Sequence, residues 1–111
     1  MAETGIQGVS NRFFSPVPGA TVSLDTTKYN SFKWSPNEDE TINTTSPGYE
    51  GQEMTIVIDT INTTSRTLTF STNFRSTGTL ATGTTSARRF VVTFVSDGLV
   101  WSECSRTAAQ A

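Results

Sequence analysis

The spacing of the apolar residues constrains the fold of this sequence more than any other feature, because they recur at every second position. Two runs show the pattern clearly, residues 53–60 and 66–72, with apolar positions Met54, Ile56, Ile58, Leu68 and Phe70. A period of two places successive side chains on opposite faces of a β-strand. No stretch combines good helix formers with the spacing of an amphipathic helix. The sequence therefore predicts an all-β protein.

Several further strands are expected along the chain. Residues 53–60 and 66–72 flank a short polar connection, and together they are typical of a β-hairpin. Short strands are predicted at residues 20–24 and 29–34. Residues 35–51 form a Pro-, Asn- and Gly-rich loop that holds one more short strand around Ile42. Residues 76–87 are predicted to be a long, exposed Gly/Thr loop.

The strongest hairpin signal lies in residues 89–104. Asp97-Gly98 suits a two-residue type I′ turn, which requires positive φ at both central residues. The predicted cross-strand pairs are Ser96 with Leu99, Val95 with Val100, and Phe94 with Trp101. Both faces of this hairpin are largely apolar, whereas a surface sheet of a monomer is usually wet on one side. We expect it to be sandwiched between two sheets or buried against another subunit.

The composition supports one small β-domain. Thr and Ser together make up roughly 30% of the 111 residues, and these residues favour strands and turns. The expected fold is a single antiparallel β-sandwich or barrel-like domain, of jelly-roll or tulip-like type, over residues 19–111. Residues 1–18 are expected to form an extended arm, because Gly5, Gly8, Pro16 and Pro18 interrupt regular structure. The arm either folds back on its own core, docks on a neighbouring subunit or stays disordered.

Charge and hydropathy exclude several classes of function. The formal net charge is −2 and no basic stripe is present, which disfavours nucleic-acid binding. No apolar run approaches the roughly 20 residues of a membrane span. The N-terminus lacks the basic and apolar regions of a secretory signal, so a cytoplasmic site of synthesis is expected. Cys104 is the only cysteine, so no intrachain disulfide can form.

The residues that carry most enzymatic chemistry are missing. The chain has no His, which rules out Ser–His and Cys–His nucleophiles, and one Cys cannot build a zinc site. No phosphate-binding glycine motif is present, and we expect neither an enzyme nor a cofactor. The acidic run Glu38 to Glu40 is interpreted as solvated surface, with a weak calcium site as the alternative. A glycosidase pair drawn from Asp25, Asp59 and Asp97 is the least favoured reading.

Aromatic residues offer one candidate for ligand contact. Trp34, Trp101 and Tyr49 are all able to stack on sugars, but Trp101 is more simply explained as a core residue. Tyr49 lies beside Gly48 and close to Gly51 and is the better candidate for an exposed contact. The Asn-Thr-Thr motifs at Asn43 and Asn62 are interpreted as chance matches to the glycosylation pattern in a Thr-rich chain.

The C-terminal half resembles β-rich modules of bacteriophage virion proteins, which occur in tail-fibre-type and small head-associated proteins. The resemblance covers about residues 51–109, and its most recognisable parts are Thr77-Gly78, Thr82-Gly83, the turn Ser96 to Gly98, Trp101 and Ser105 to Thr107. The family implies virion structure and subunit contacts, with no catalytic set. Leu99 and Val100 depart from the more polar residues that usually follow the turn.

The resemblance and the surplus of apolar positions together indicate a structural protein of the virion. The leading hypothesis is a capsid decoration, or cement, protein that forms a homo-oligomer, as a trimer, and binds the major capsid protein. The alternatives are a tail or fibre component and a carbohydrate-binding β-module. Apolar residues beyond what one thin domain can bury predict an interface. Its candidate residues are Phe13, Phe14, Val91, Val95 and Val100.

Overall fold

The computed structural model describes residues 13–111, which form nine β-strands and no helix. Among these residues no helix is long and apolar enough to cross a membrane. The all-β prediction is thereby confirmed. The strands are β1 (Thr21–Leu24), β2 (Ser31–Trp34), β3 (Glu40–Thr44), β4 (Glu53–Asp59), β5 (Thr67–Phe70), β6 (Phe74–Arg75), β7 (Leu80–Ala81), β8 (Arg89–Ser96) and β9 (Trp101–Arg106).

The strands form two sheets, of four and five strands. The smaller sheet has the order β1-β3-β5-β7, and the larger has the order β2-β4-β8-β9-β6. From β1 to β8 the chain alternates between the two sheets at every step, and of the consecutive strands only β8 and β9 share one. The chain thus winds around a common interior instead of folding back within a sheet.

Parallel pairing distinguishes this fold from the antiparallel domain that the sequence predicted. Thr21 pairs with Thr41 and Thr41 with Thr69 in one sheet, while Ser31 pairs with Thr55 in the other, all in parallel. Strand β6 also pairs in parallel with β9. Both sheets are therefore mixed, and the coils give a solenoid-like arrangement. The expectation of a purely antiparallel domain is wrong. Alternation of apolar residues indicates which face of a strand is buried, but it does not indicate which strand is the neighbour in the sheet.

The predicted hairpin of residues 53–60 and 66–72 is wrong for the same reason. Its two strands exist as β4 and β5, but they lie in different sheets. Thr60, at the end of β4, donates its backbone N–H to Arg88 and its hydroxyl to the carbonyl of Thr85. These bonds tie the chain to the segment before β8, so the following residues cross to the smaller sheet.

The hydrophobic core lies between the sheets and takes one side of nearly every strand. Met54, Ile56 and Ile58 of β4 are buried there, as predicted, together with Phe32, Ile42, Leu68, Val92 and Trp101. Phe70, Phe74 and Phe94 form an aromatic cluster with centroids 5.0–5.3 Å apart. Full burial of each large apolar side chain contributes about 1.5–3 kcal/mol, so this layer is the main source of stability.

The last hairpin is present, but its turn and register differ from the prediction. Ser96 pairs with Trp101, so four residues and not two connect β8 to β9. Asp97 accepts hydrogen bonds from the backbone N–H groups of Leu99 (2.8 Å) and Val100 (3.0 Å). Gly98 has positive φ but Asp97 does not, which excludes a type I′ turn. Leu99 therefore lies in the connection, 79% exposed, and not on the core face.

The predicted Gly/Thr loop of residues 76–87 is only partly a loop. Leu80 and Ala81 form β7 at the edge of the smaller sheet, and the side chains of Leu80 and Thr82 are buried. Thr82 donates its N–H to Arg66 and accepts from the N–H of Arg66 with its hydroxyl. These bonds continue the ladder between β5 and β7, so the expectation of an exposed segment is wrong at this point.

The described part of the N-terminal arm lies against its own domain. Phe14 forms a parallel bridge with Phe32, donating to Ser31 and accepting from Lys33. Its ring stacks on Tyr29 with a centroid distance of 4.3 Å. The arm thus adds a short edge to the five-stranded sheet. The remainder of the predicted arm, residues 1–12, lies outside the described residues.

Candidate functional site

The three aspartates considered as a glycosidase pair each have a separate local partner. Asp25 accepts from the N–H and hydroxyl of Thr27, and these bonds lower its carboxyl pKa. Asp59 forms a two-point ion pair with Arg89, with distances of 2.7 and 3.0 Å, which lowers the pKa of Asp59. Asp97 caps the connection between β8 and β9. The carboxylates therefore serve turns and strand ends.

The acidic run Glu38 to Glu40 does not converge on a common point. Glu40 turns into the core, where it is 2% exposed and accepts from Trp34 Nε1 at 2.8 Å, so the interpretation of this run as solvated surface is wrong for Glu40. Burial raises the pKa of its carboxyl. Asp39 accepts instead from the N–H of Thr67. Within residues 13–111 no three acidic or thiol side chains are placed to hold a metal ion. The described residues thus provide no set of ligands for the calcium site that was considered as the alternative.

Tyr49 is carried by a tight turn at one end of the two sheets. Tyr49 is 67% exposed. Its backbone N–H donates to Gln52 Oε1 at 3.1 Å, and its carbonyl accepts from Gln52 N at 2.9 Å. Gly48 and Gly51 on either side have φ of 75° and 89°, conformations that favour glycine. The glycines noted in the sequence are therefore what allows the chain to turn here.

Buried Gln52 fixes this turn to the rest of the domain. Its side-chain nitrogen donates to the carbonyl of Thr26 (3.1 Å) and to Asn30 Oδ1 (2.8 Å), so all of its polar atoms are engaged. Gln52 also accepts from Ser96 with its backbone carbonyl, and Gly51 donates to Ser96. Sequence reasoning missed Gln52, because a buried amide has no periodic signature.

The indole of Trp101 supports the same turn from below. Trp101 Nε1 donates to the carbonyl of Ser46 at 3.1 Å, and the hydroxyl of Ser96 donates to the carbonyl of Pro47. A Cβ atom at Gly48 would lie 2.6 Å from Trp101 Cζ2, so the backbone sits directly on the ring. The prediction that Trp101 is a core residue is confirmed, because it is fully buried. Its predicted pairing with Phe94 is wrong.

Two open grooves flank the exposed ring of Tyr49. One has a volume of about 430 Å³ and is lined by Thr26, Thr27, Lys28, Asn30, Ser46, Gly48, Tyr49 and Gln52. The other has a volume of about 370 Å³ and is lined by Asn30, Ser31, Tyr49, Gly51, Gln52, Glu53 and Thr55. Hydroxyl and amide side chains line both grooves, and they dominate the smaller one. We call this combination of ring and grooves the Tyr49 platform.

A second surface is the side of the five-stranded sheet that faces away from the core. Lys33, Val57 and Val91 form one row across β2, β4 and β8, as the strand registers place them side by side. The Lys33 amine lies 5.7 Å from the centre of the Phe13 ring. Val95 lies on the same side, further along β8. We call this surface, made of Phe13, Lys33, Val57, Val91 and Val95, the outer face.

The five predicted interface residues divide between this surface and other places. Phe13, Val91 and Val95 lie on the outer face, where Phe13 is 47% exposed and the two valines are half-buried. Phe14 instead stacks on Tyr29, and Val100 is half-buried in the connection that follows β8. Val57 and Lys33 were not singled out from the sequence. Val57 is buried and occupies the otherwise polar side of β4, and this departure from alternation is the signal by which the sequence could have identified it.

An ion pair closes the side of the core next to β9. Arg106 Nη2 lies 2.9 Å from Glu103 Oε1, and the guanidinium is 5.7 Å from the centre of the Phe70 ring. Thr77 donates to the carboxylate of Glu103 with both its N–H and its hydroxyl. Burial acts to raise the pKa of Glu103, but these hydrogen bonds together outweigh it and hold the pKa below its usual range.

Comparison of the chain with protein families, curated proteins and solved structures gave no match. The fold presents two surfaces that could bind a partner or a ligand. One is the outer face, which is partly apolar. The other is the Tyr49 platform, which is narrow, polar and built around a single ring.

Proposed function

We propose that this chain is a structural protein of a bacteriophage virion, and most concretely a capsid decoration protein that binds and stabilises the head. The observation that carries the proposal is the outer face. Three of the candidate interface residues, Phe13, Val91 and Val95, lie on this surface. The resemblance of residues 51–109 to virion modules supplies the setting.

The chemistry of the outer face suits a protein partner. The aliphatic side chains of Val57 and Val91 lie on the inner strands of this surface, with Lys33 and Phe13 at its β2 edge and the Asp59–Arg89 ion pair at the end of β4 and β8. An apolar centre with charged groups around it is the usual anatomy of a protein–protein interface. A β-sheet also presents its side chains at regular spacing, so a second surface of similar shape can pack on it. The proposed partners are further copies of this chain, as a trimer, and the major capsid protein.

The proposal is tested by placing a charge on the outer face. Val95→Asp introduces a carboxylate at a half-buried position whose side chain does not face the core, so folding should be retained. Ile61→Asp is the matched control, because Ile61 is 65% exposed in the connection after β4. We expect Val95→Asp to lose binding to purified heads and to shift the native mass from trimer to monomer. Ile61→Asp should do neither.

The position within the virion is decided by stoichiometry on particles. Heads assembled without the protein should lose resistance to heat, and added protein should restore it. Presence on tails alone would replace the cement assignment with the tail or fibre alternative. A wild-type chain that is strictly monomeric and has no affinity for heads or tails would overturn the proposal. Full binding by Val95→Asp would show that the outer face is not the interface.

A further inference from the structure

We infer that the Tyr49 platform is a binding site for a neutral linear oligosaccharide, with one pyranose ring stacked on Tyr49 and its neighbours in the two grooves. This site is separate from the outer face, and it does not depend on where the protein resides in a virion. Three features of the platform support it. They are the preorganisation of the ring, the free hydrogen-bonding groups beside it and the balance of charge.

The first feature is that an exposed aromatic ring is held on a rigid support. The turn around Tyr49 is fastened at its backbone by Gln52, and Gly51 and Pro47 are bound by Ser96. Trp101 fills the space beneath. A side chain displayed on such a support loses little conformational entropy on binding, which favours weak ligands such as sugars. A tyrosine ring also combines an apolar face with a polar end, as one side of a pyranose does.

The second feature is the supply of unused polar groups on both sides of the ring. Asn30 is exposed, and its oxygen accepts from Gln52 while its amide nitrogen makes no hydrogen bond to another residue of 13–111. The hydroxyls of Ser31 and Thr55 likewise make none within this range. Sugar hydroxyls both donate and accept, so a wall of amides and hydroxyls complements them. A protein partner would call for a more apolar centre than these grooves provide.

The third feature is that the two grooves carry opposite single charges. Lys28 lines the larger groove and Glu53 lines the other. A strongly acidic ligand would be attracted by Lys28 and repelled by Glu53, so the platform as a whole favours a ligand without net charge. A neutral chain long enough to reach into both grooves meets this condition.

The test uses the full chain and a set of neutral hexasaccharides of glucose and of N-acetylglucosamine, on an array and by titration calorimetry. The wild-type protein should bind at least one of them. Tyr49→Ala should weaken that binding by about tenfold or more, the loss typical when an interface tyrosine is truncated. Tyr49→Phe keeps the ring and should stay within about threefold of the wild type. Ile61→Ala, which removes an exposed apolar side chain elsewhere, should have no effect.

Two results would overturn the inference. One is the absence of binding to every neutral hexasaccharide at millimolar concentration. The other is binding that Tyr49→Ala leaves unchanged. Binding that survives 0.5 M salt supports a neutral ligand, whereas binding to acidic glycans alone, lost in salt, contradicts it. The head-binding assay with Tyr49→Ala keeps the two proposals distinct, because that variant should still bind heads.

Discussion

The contact between Gly48 and Trp101 allows the cost of a single methyl group to be worked out from the structure. In Gly48→Ala the new Cβ would lie 2.6 Å from Trp101 Cζ2 and 2.8 Å from Gln52 Oε1. Neither neighbour can move easily, since the indole is fully buried and the Gln52 amide is hydrogen-bonded at every polar atom. Overpacking of this kind typically costs about 1–3 kcal/mol.

A second contribution comes from the backbone at the same position. Gly48 has φ of 75°, where a Cβ atom costs roughly 1–2 kcal/mol. The sum for Gly48→Ala is about 2–5 kcal/mol, a large share of the 5–15 kcal/mol that usually stabilises a domain. Gly51→Ala is the matched control. Its φ is 89°, but a Cβ there would meet nothing within 4 Å, so only the backbone cost of about 1–2 kcal/mol applies.

The assay is equilibrium unfolding in urea, followed by tryptophan fluorescence and near-ultraviolet circular dichroism. We expect Gly48→Ala to lower the midpoint clearly more than Gly51→Ala, with similar slopes, because stability and not the exposed area changes. Gly48→Ala should also weaken oligosaccharide binding, since Tyr49 is the next residue. Equal destabilisation of the two variants would refute the packing contribution and leave only the backbone cost.

The remaining predictions concern buried charges and one turn. Burial raises the Glu40 pKa, so the ionised form is disfavoured in the folded state, and the wild type should gain stability relative to Glu40→Gln as the pH falls through that pKa in a urea series. Glu103→Gln should cost about 1.5–3 kcal/mol at pH 7, since it weakens the charge-assisted hydrogen bonds that the Glu103 carboxylate accepts from Arg106. The pKa of Glu103 is lowered in the folded state, so the stability that its carboxylate contributes is present above the unfolded pKa and is lost as the pH falls through the folded pKa. A Glu103→Gln variant that loses stability in acid as steeply as the wild type would contradict this. Gly98→Val should destabilise the connection between β8 and β9 through its φ of 89°, measurable as faster amide exchange in β9, and unchanged exchange would count against that reading.

The strands could be read from the sequence because each has one buried side. Residues 20–24, 29–34 and the short strand around Ile42 correspond to β1, β2 and β3, and the two clear apolar runs correspond to β4 and β5. Their partners could not be read in the same way. Alternation in residues 53–60 and 66–72 fits a hairpin and two strands in facing sheets equally well, because both bury the same side chains.

In the Tyr49 platform, too, the sequence predicts local features but not contacts between distant residues. Tyr49 was found because two nearby glycines mark a tight turn, which is a local signal. Gln52, Asn30 and Ser96 hold that turn through bonds to residues more than 20 positions away, and spacing along the chain cannot report such bonds. The turn after Ser96 was misjudged because the Asp97 side chain caps two backbone groups, which stabilises a four-residue connection over the two-residue one.

The alternation of the chain between its two sheets also sets how it can fold. Every strand pairing except that of β8 with β9 joins segments separated by other strands, so each must close a long loop before it gains any contact. High contact order of this kind gives slow folding, on the scale of milliseconds to seconds. We expect the β8–β9 hairpin to form first, because its strands are consecutive in the chain, and β4 to pair with β8 before the remaining coils form. Coils that assemble last should open first. We therefore expect the amide protons of β2 and of the adjoining Phe14 segment to exchange earliest.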